Sequence, residues 1–434
     1  MSLQEPSILS SSNKLLAGDE LVHNWYRFVL SFPPHLVRHY LSELEVTADS
    51  CVLDPFCGTG TTIVECKKNG IASVGVESNL LAHFASSTKV DWSPSPEKLL
   101  FQSERIADLW RDAMSASTVG EDDLVEGIYR QEEGLETLGA EKFSLLLKDS
   151  ISPLPLHKAI LLRRILEDEA PAKLVPHLRL ALARSLVADI GNLHFGPEVG
   201  VGPPKDDAPV IESWQASVRS ICDGLRAYGS HKGTPARVFR EDARQISNVL
   251  EPESIDAVIT SPPYPNEKDY TRTTRLESVL LGFVETKAEL RAMKKGLLRS
   301  NTRNVYVEDT DDRWVAENEA IQTLATEIER RRIELGKTSG FERQYARVTK
   351  LYFGGMYRHL ADLRTALKPG ARLAYVVGDQ ASYFRVMIRT GQILGAIAQQ
   401  LGYELVSIDL FRTRLATATR AQLREEVVIL KWPG

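Results

Sequence analysis

The sequence of 434 residues lacks the features that would place it in a membrane or on a secretory route. It contains no apolar run of about 18 residues or more, which is the minimum for a membrane-spanning helix. The segment from Met1 to Asn13 is rich in serine and lacks a basic start followed by an apolar core, so we expect no secretory signal. Hydrophobic residues make up 43% and charged residues 26%, which is typical of a globular protein with a large core.

Cysteine is also scarce, and the sequence has no excess of basic over acidic residues. The four cysteines have no spacing that resembles a metal site, so we predict buried thiols in a reducing cytoplasm and no bound metal. The net charge of -5 gives no sign of a nucleic-acid partner. A protein that acts on nucleic acid requires a local basic surface but need not be basic overall, so the net charge does not decide the question. Any indication of DNA must therefore come from motifs.

What the sequence does contain is an alternation of short apolar runs with amphipathic helices. This alternation predicts an α/β protein with a mostly parallel, doubly wound sheet. Helices are predicted over Thr61–Lys68 and about Met356–Leu367, among others. The predicted strands are Cys51–Leu53, Ile71–Val76, Arg237–Phe239, Ile255–Thr260, Ala371–Val377, Leu405–Leu410 and Val427–Leu430.

Three regions follow from the same pattern. Residues 1–90 hold an N-terminal segment and the first half of the sheet, and residues 91–235 form a helical insertion. Residues 236–434 hold the second half of the sheet, interrupted by a charged helical insertion at about 285–350. Insertions of this kind are expected at the carboxyl edge of the sheet, where ligands bind.

A glycine loop follows the first predicted strand, in the segment Asp54-Pro55-Phe56-Cys57-Gly58-Thr59-Gly60-Thr61-Thr62. Gly58 and Gly60 permit a sharp turn, and the helix after it offers its N-terminus to an anionic or polar ligand. Glu77, at the end of the next strand, can accept hydrogen bonds from both hydroxyls of a ribose. Asp242 follows a third strand and can accept from an adenine amino group. Together these residues predict a site for a nucleoside-bearing cofactor.

The same features have a structural alternative, in which the glycines form an ordinary strand–helix turn and Glu77 is a solvated strand end. The acids at successive strand ends favour the cofactor site over this alternative. A phosphate-binding loop is disfavoured because no lysine follows Gly60.

The second motif is Ser261-Pro262-Pro263-Tyr264, directly after the strand Ile255–Thr260. Proline removes backbone donors and leaves nearby carbonyls as acceptors, so the Ser261 hydroxyl and the Pro262 carbonyl can both accept from an exocyclic amine. Tyr264 offers a flat face on which a base can stack. Such a clamp aims the amine nitrogen at an electrophile and acts by positioning. The structural alternative is a Pro-Pro turn beside a core tyrosine.

With both motifs the chain resembles the amino-group DNA methyltransferases, which use S-adenosylmethionine as methyl donor. The resemblance implies a Rossmann-like methyltransferase fold with a C-terminal antiparallel hairpin, to which the last two predicted strands correspond. It implies that Ser261, Pro262, Pro263 and Tyr264 are the catalytic tetrapeptide. The residues that it assigns to the cofactor are Phe32, Pro33, Asp54, Pro55, Phe56, Cys57, Gly58, Gly60, Thr61, Thr62, Glu77 and Asp242.

The first residue of the tetrapeptide carries information on the target base. In that family serine is typical of cytosine N4 methylation, whereas aspartate or asparagine is typical of adenine N6 methylation. Ser261 therefore implies a site-specific enzyme that makes N4-methylcytosine in double-stranded DNA, on a base flipped out of the duplex. The resemblance also implies that residues 1–90 hold the cofactor-binding half of the catalytic domain, that residues 236–434 hold the catalytic half, and that residues 91–235 are a candidate DNA-recognition element. It further implies a restriction–modification system with a cognate restriction endonuclease, and a cytoplasmic, nucleoid-associated protein of a prokaryotic cell.

Three alternatives remain open at this point: an adenine-N6 DNA methyltransferase, an RNA guanine-N2 methyltransferase with a similar cofactor loop, and an inactive DNA-binding subunit. Methylation of a base carbon is disfavoured because it requires a nucleophilic cysteine, and no cysteine lies near the tetrapeptide.

Residues that would contact DNA are predicted close to the tetrapeptide. Basic and aromatic side chains there are suited to grip the phosphates that flank a flipped nucleotide. The candidates are Lys268, Tyr270, Arg272, Arg275 and, from a second polar cluster, Arg303. For each arginine a solvated helix face is an equally compatible interpretation.

Overall fold

The computed structural model describes residues 15–16, 18–27, 31–117, 134–195, 199–265, 269–415 and 422–434. The strands are β1 (Cys51–Asp54), β2 (Ala72–Val76), β3 (Leu193–Phe195), β4 (Val199–Val201), β5 (Ala236–Phe239), β6 (Ile255–Thr260), β7 (Leu367–Gly378), β8 (Glu404–Leu415) and β9 (Gln422–Lys431). The predicted Lys268 lies outside the described residues.

The helices divide between the flanks of the sheet and two insertions. They are α1 (Glu20–His23), α2 (Pro34–Glu43), α3 (Thr61–Lys68), α4 (Leu80–Val90), α5 (Pro96–Ser117), α6 (Ala140–Phe143), α7 (Pro153–Glu169), α8 (Val175–Ser185), α9 (Val210–Tyr228), α10 (Tyr270–Thr273), α11 (Arg275–Leu280), α12 (Lys287–Lys295), α13 (Glu319–Glu334), α14 (Tyr345–Leu363) and α15 (Thr390–Gln400). No helix in the described ranges is long and apolar enough to cross a membrane.

Within the described ranges, seven strands form the central sheet, in the order β5-β2-β1-β6-β7-β9-β8. The first five are parallel, and β9 runs antiparallel to both β7 and β8. This is a Rossmann-like α/β fold with a C-terminal antiparallel hairpin, as the sequence predicts. The strand order reverses between β1 and β6, and ligands bind at such a reversal in open parallel sheets.

Side chains of alternate strand residues fill the two faces of the sheet. Leu53 and Val258 point to the side that α14 and α15 cover, where Leu360 and Ile397 are fully buried. Their chain neighbours Val52, Ala257 and Ile259 pack on the opposite side with α2. Because successive strand residues alternate in this way, near-continuous apolar runs are required to build a sheet that is buried on both faces.

Two insertions lengthen the connections of the sheet. Helices α5 to α9 lie between β2 and β5, and α5, α7, α8 and α9 share one apolar cluster that includes Trp25 and Trp214. That insertion also contains the antiparallel pair β3–β4, which the sequence analysis does not predict. The charged insertion at about 285–350 comprises α12, α13 and the first residues of α14.

One predicted helix has the wrong boundaries. The expected range of Met356–Leu367 is α14 in the structure, which begins at Tyr345 and ends at Leu363. It begins earlier because Val348 and Tyr352 extend its buried face. It ends earlier because β7 already starts at Leu367, and Gly370 N in that strand donates to Trp432 O at 2.7 Å.

Candidate functional site

A cavity of about 520 Å³ opens at the carboxyl ends of the parallel strands, where the order of the sheet reverses. Its volume is within the range of roughly 300–1,000 Å³ that is typical of small-molecule sites. The structure brings most of the predicted site residues to its wall. They are Phe32, Pro55, Phe56, Cys57, Gly58, Thr61, Glu77, Asp242, Ser261, Pro262, Pro263, Tyr264 and Tyr270.

The glycine loop depends on backbone conformations that only glycine adopts without cost. Gly58 has φ of 52° and Gly60 has φ of 86°, both in the left-handed region. A Cβ on Gly60 would also lie 3.1 Å from Ser86 Cβ and 3.2 Å from Ile63 Cγ1. The loop therefore turns tightly between β1 and α3 and lets its backbone form the floor of the cavity.

Asp54 supports this loop from behind and does not line the cavity. Its carboxylate is completely buried, and Oδ1 accepts from Thr260 Oγ1 at 2.7 Å and from Phe56 N at 3.2 Å. Burial raises the pKa of Asp54 to about 6 against these hydrogen bonds. Thr62 is also buried, and its hydroxyl donates to Ile259 O at 3.1 Å. Both residues thus join the cofactor loop to β6.

A buried lysine that the motifs did not reveal holds the same loop. Lys89 Nζ donates to Thr59 O at 2.9 Å and to Tyr26 O at 3.2 Å. Burial lowers the pKa of Lys89 to about 7. Lys89 belongs to α4 and is far from both motifs in sequence, so only the folded chain shows its role.

Glu77 presents a carboxylate to the cavity in a fixed orientation. Oε2 accepts from Gly58 N at 2.8 Å and Oε1 from Asn79 N at 2.7 Å. Each oxygen keeps further acceptor capacity, which suits the two hydroxyls of a ribose. Burial raises the pKa of Glu77 to about 7. Beside it, Asn79 lines the cavity, and its Nδ2 is a buried donor that has no hydrogen-bond partner in the described part of the chain. These groups fit a nucleoside cofactor.

Asp242 also lines the cavity, but its carboxylate is engaged within the protein. Oδ1 accepts from Arg244 N and Nε, each at 2.9 Å, and Oδ2 accepts from Arg244 Nη2. Arg244 Nη1 in turn pairs with Asp311, which also pairs with Arg358. The predicted contact of Asp242 with an adenine amine would have to share the carboxylate with Arg244, so it stays a prediction.

The tetrapeptide lies on the wall next to the glycine loop. Ser261 Oγ donates to Val376 O at 3.3 Å, which occupies the only hydroxyl proton and leaves the oxygen lone pairs as acceptors. Tyr264 lies against Gly378 so closely that a Cβ on that glycine would be 2.7 Å from Tyr264 Cε2. Cys57 is buried, and burial raises the pKa of its thiol well above the usual range, which disfavours the thiolate that a nucleophile requires.

The predicted DNA contacts are divided. Tyr270 lines the cavity, and Arg303 is exposed outside it. Arg275 instead donates from Nε to Thr271 O at 2.9 Å and from Nη1 to Leu145 O at 3.1 Å, which ties α11 to the first insertion. Arg272 is half-buried and does not line the cavity.

Of the remaining predicted cofactor residues, Pro33 is buried just before α2.

Several residues of the wall were missed by the sequence analysis as individual site residues. They are polar or charged side chains from distant parts of the chain: Asn79, Ser300, Asn301, Asn304, Gln380, Arg412, Arg414 and Glu425. Ser300 and Asn301 belong to a polar cluster that the sequence shows, whereas no local pattern marks the residues of β8 and β9. In the described residues no three His, Cys, Asp or Glu side chains are arranged to hold a metal ion.

The known proteins that this chain resembles in sequence are DNA methyltransferases. The family model N6_N4_Mtase, DNA methylase, matches residues 9–83. The chain is 24% identical to the Type II methyltransferase M.BsoBI of Geobacillus stearothermophilus, over 96% of this chain and 86% of the relative. It is 23% identical to the Type II methyltransferase M.AvaI of Nostoc sp., over 95% of this chain and 86% of the relative.

Among solved structures, the chain matches TrmN from Thermus thermophilus with 11% identity and a TM-score of 0.28. The match covers 92% of this chain and 48% of TrmN, so the chain spans about half the length of that structure. At this TM-score the likeness supports no conclusion, and the fold assignment rests on the strand order and pairing described above.

Proposed function

We propose that this chain methylates the N4 amine of cytosine in a specific sequence of double-stranded DNA. The premise is that it belongs to the amino-group DNA methyltransferases, which use S-adenosylmethionine. The observation that carries this proposal is that Ser261 faces the same cavity as the glycine loop and Glu77. A clamp for an amine and a cradle for a nucleoside cofactor thus share one enclosed space.

The cofactor half of the cavity is formed by the glycine loop and Glu77. Backbone conformation at Gly58 opens the floor, and the carboxylate of Glu77 is oriented to accept from a ribose. S-adenosylmethionine, when bound, supplies an electrophilic methyl group on a sulfonium. The protein residues contribute the orientation of that methyl group toward the tetrapeptide, and this orientation is the larger part of catalysis in a direct transfer.

Ser261 is the residue on which the choice of cytosine depends. Because its hydroxyl proton is donated to Val376 O, the oxygen offers a neutral acceptor to one N–H of the target amine. The Pro262 carbonyl is the second acceptor in the proposed clamp, and Tyr264 provides the stacking face. A neutral acceptor suits the N4 amine of cytosine, which requires orientation more than deprotonation before it attacks the methyl group.

A restriction–modification role is part of the proposal. It is supported by the names of the two relatives, each a Type II methyltransferase. A cognate restriction endonuclease would be the functional partner, and the chromosome in a prokaryotic cytoplasm would be the substrate. From the second insertion, Leu298, Ser300 and Asn301 line the cavity. The first insertion, residues 91–235, is the element to which we assign sequence recognition in this proposal.

The test is transfer of labelled methyl groups from S-adenosylmethionine to mixed genomic DNA and, separately, to RNA, followed by nucleoside mass spectrometry. We expect N4-methylcytosine in DNA. N6-methyladenine would retain the clamp and the cofactor but contradict the role given to Ser261. Label in RNA alone would show that DNA is not the substrate. Binding of DNA without any transfer, with cofactor binding intact, would point to an inactive subunit.

A further inference from the structure

The C-terminal hairpin has an irregularity beside the cavity. The register of β8 against β9 shifts between Leu410 and Arg412, so Phe411 is an extra residue in β8. Such a bulge reverses the side of the sheet to which the following side chains point, and bulges next to active sites re-aim side chains. As a result Phe411, Arg412 and Arg414 all line the cavity. In a regular strand Phe411 and Arg412 would face opposite sides.

A buried carboxylate holds both arginines. Glu425 is the register partner of Arg412, and its oxygens accept from Arg412 Nε at 2.6 Å and Arg412 Nη2 at 2.9 Å. Arg414 Nε lies 3.5 Å from the same carboxylate. The side chain of Glu425 is 8% exposed, whereas those of Arg412 and Arg414 are 28% and 44% exposed. Two cations share one anion, so the cluster carries an excess positive charge toward solvent.

The distance of this cluster from the tetrapeptide is set by the sheet. The Tyr264 ring rests on Gly378 of β7, Gly378 pairs with Glu425 of β9, and Glu425 pairs with Arg412 of β8. Neighbouring strands are about 4.8 Å apart, so Arg412 lies two strand spacings, roughly 10 Å, from the backbone that supports Tyr264. Arg412 and Arg414 therefore line the same cavity as the tetrapeptide, two strands away from Tyr264.

We propose that Arg412 and Arg414, aimed by the Phe411 bulge and oriented by Glu425, bind backbone phosphates of the DNA strand that carries the flipped base. The proposal rests on the proposed function, because it requires duplex DNA at this cavity. Arginine suits the role because it presents several donors, and only part of the set on Arg412 is used by Glu425. The phosphate contacts carry no sequence information and fix the position of the strand.

A purely structural ion pair is the competing explanation, and the chain offers a comparison for it. Arg330 on α13 is also an exposed arginine, paired with Glu327 and Glu334, but it lies outside the cavity. If Arg412 and Arg414 were surface ion-pair residues of the same kind, replacing them would affect DNA no more than replacing Arg330.

The experiment measures the affinity for a fluorescent DNA duplex of mixed sequence as a function of NaCl concentration, with S-adenosylhomocysteine present. The variants are Arg412→Gln with Arg414→Gln, Arg412→Lys with Arg414→Lys, and Arg330→Gln. Each phosphate contact contributes about 0.9 to the slope of log affinity against log salt concentration. We expect the double glutamine variant to lose roughly 1.8 from that slope, and the Arg330→Gln variant to keep it.

The lysine variant separates the two explanations even if the hairpin is weakened. Lysine keeps the point charge that a phosphate needs but cannot form the two-donor pair with Glu425. A retained slope with lysine and a reduced slope with glutamine supports the phosphate role. If the double glutamine variant keeps the wild-type salt slope while the wild-type protein methylates DNA normally, this inference is overturned and the proposed function stands. Label found only in RNA with wild-type protein overturns the proposed function and this inference with it.

Discussion

The hydroxyl of Thr260 donates a hydrogen bond of 2.7 Å to the buried carboxylate of Asp54. Thr260 is the last residue of β6, directly before the tetrapeptide, and Asp54 is the last residue of β1, directly before the glycine loop. The two motifs are about two hundred residues apart in the chain, and this side-chain contact joins them directly. It lies where the strand order reverses, so the pairing of β1 with β6 brings the tetrapeptide to the glycine loop.

Replacement of Thr260 by valine tests this link. The variant Thr260→Val keeps a similar shape but removes the 2.7 Å hydrogen bond to Asp54 Oδ1, which keeps the Phe56 amide as a donor. Among the described residues Asp54 Oδ2 has no hydrogen-bond partner that could compensate. We expect the free energy of unfolding to fall by about 1–3 kcal/mol and cofactor affinity to weaken. Thermal unfolding and calorimetric titration with S-adenosylmethionine measure the two effects.

The matched control for that variant is Thr349→Val. Thr349 is equally buried, but its hydroxyl donates to Tyr345 O inside α14, a carbonyl at a helix start away from the cavity. It should leave cofactor affinity unchanged. Equal cofactor affinity in Thr260→Val and wild type would show that Thr260 only stabilises the fold.

We expect the carboxylate of Glu77 to make cofactor binding depend on pH. The pKa of Glu77 is raised by burial to about 7, and only the ionised form can accept from two ribose hydroxyls. Affinity should therefore be full above pH 7 and decline as the pH falls through that value. Glu77→Gln should lose roughly 10-fold to 100-fold in affinity, the equivalent of a charge-assisted hydrogen bond, and should lose the pH dependence. Isothermal titration calorimetry between about pH 5 and about pH 8.5 checks both.

Glu277 provides the control for this pH effect. It accepts from Tyr26 Oη at 2.6 Å, and burial raises its pKa to about 7, but it does not line the cavity. A raised carboxyl pKa means that the folded state loses stability as pH rises from about 4.5 through about 7. Glu277→Gln should remove its share of that loss and leave the pH profile of cofactor binding unchanged. A changed binding profile in Glu277→Gln would contradict the assignment to Glu77.

Alanine variants of Gly60, in the glycine loop, and of Gly70, just after α3, separate the cost of backbone strain from that of a steric clash. Both have positive φ, 86° and 72°, so alanine at either position costs about 1–2 kcal/mol of stability. Only at Gly60 does the added Cβ meet neighbours, at 3.1 Å and 3.2 Å, whereas nothing lies within 4 Å at Gly70. We expect Gly60→Ala to weaken cofactor binding and Gly70→Ala to affect stability alone. Equal cofactor affinity in both variants would show that the loop tolerates the methyl group.

The elements that sequence reasoning located correctly are those with short-range signals. The strand Ile255–Thr260 has the predicted bounds because a buried apolar run ends at a Pro-Pro pair, which cannot continue a central strand. Gly58 and Gly60 carry the signal of a tight turn in their residue type. These local rules were sufficient for the sheet, the glycine loop and the tetrapeptide to be expected at one edge.

The features that were not predicted depend on contacts between distant residues. Arg412 and Arg414 lie on the cavity wall because β8 has a bulge at Phe411. The residue type of Phe411 does not indicate a register shift. Arg275 resembles a phosphate ligand in sequence, but Leu145 O from the first insertion takes one of its donors. The role of Lys89 likewise appears only when α4 packs behind Thr59.

The tetrapeptide gives the most direct prediction about the reaction. Ser261→Ala removes the acceptor that orients the amine and leaves Val376 O without the serine donor, but the glycine loop and Glu77 are untouched. The methyl-transfer rate should fall about 100-fold or more, because small errors in the alignment of the reacting atoms have effects of that size. Cofactor affinity should remain within about twofold, since no cofactor contact is assigned to Ser261.

Tyr264→Ala should have a similar effect on transfer for a different reason, the loss of the stacking face, which is worth about 1–3 kcal/mol for a base. Tyr264→Phe is its matched variant, because it keeps the ring that lies against Gly378 and should keep most of the activity. Single-turnover transfer of labelled methyl groups to DNA, measured with calorimetric titration of the cofactor, separates chemistry from binding. Unchanged transfer in both Ser261→Ala and Tyr264→Ala would show that the amine is held elsewhere. A parallel loss of cofactor affinity in both would mean that the tetrapeptide belongs to the cofactor cradle instead.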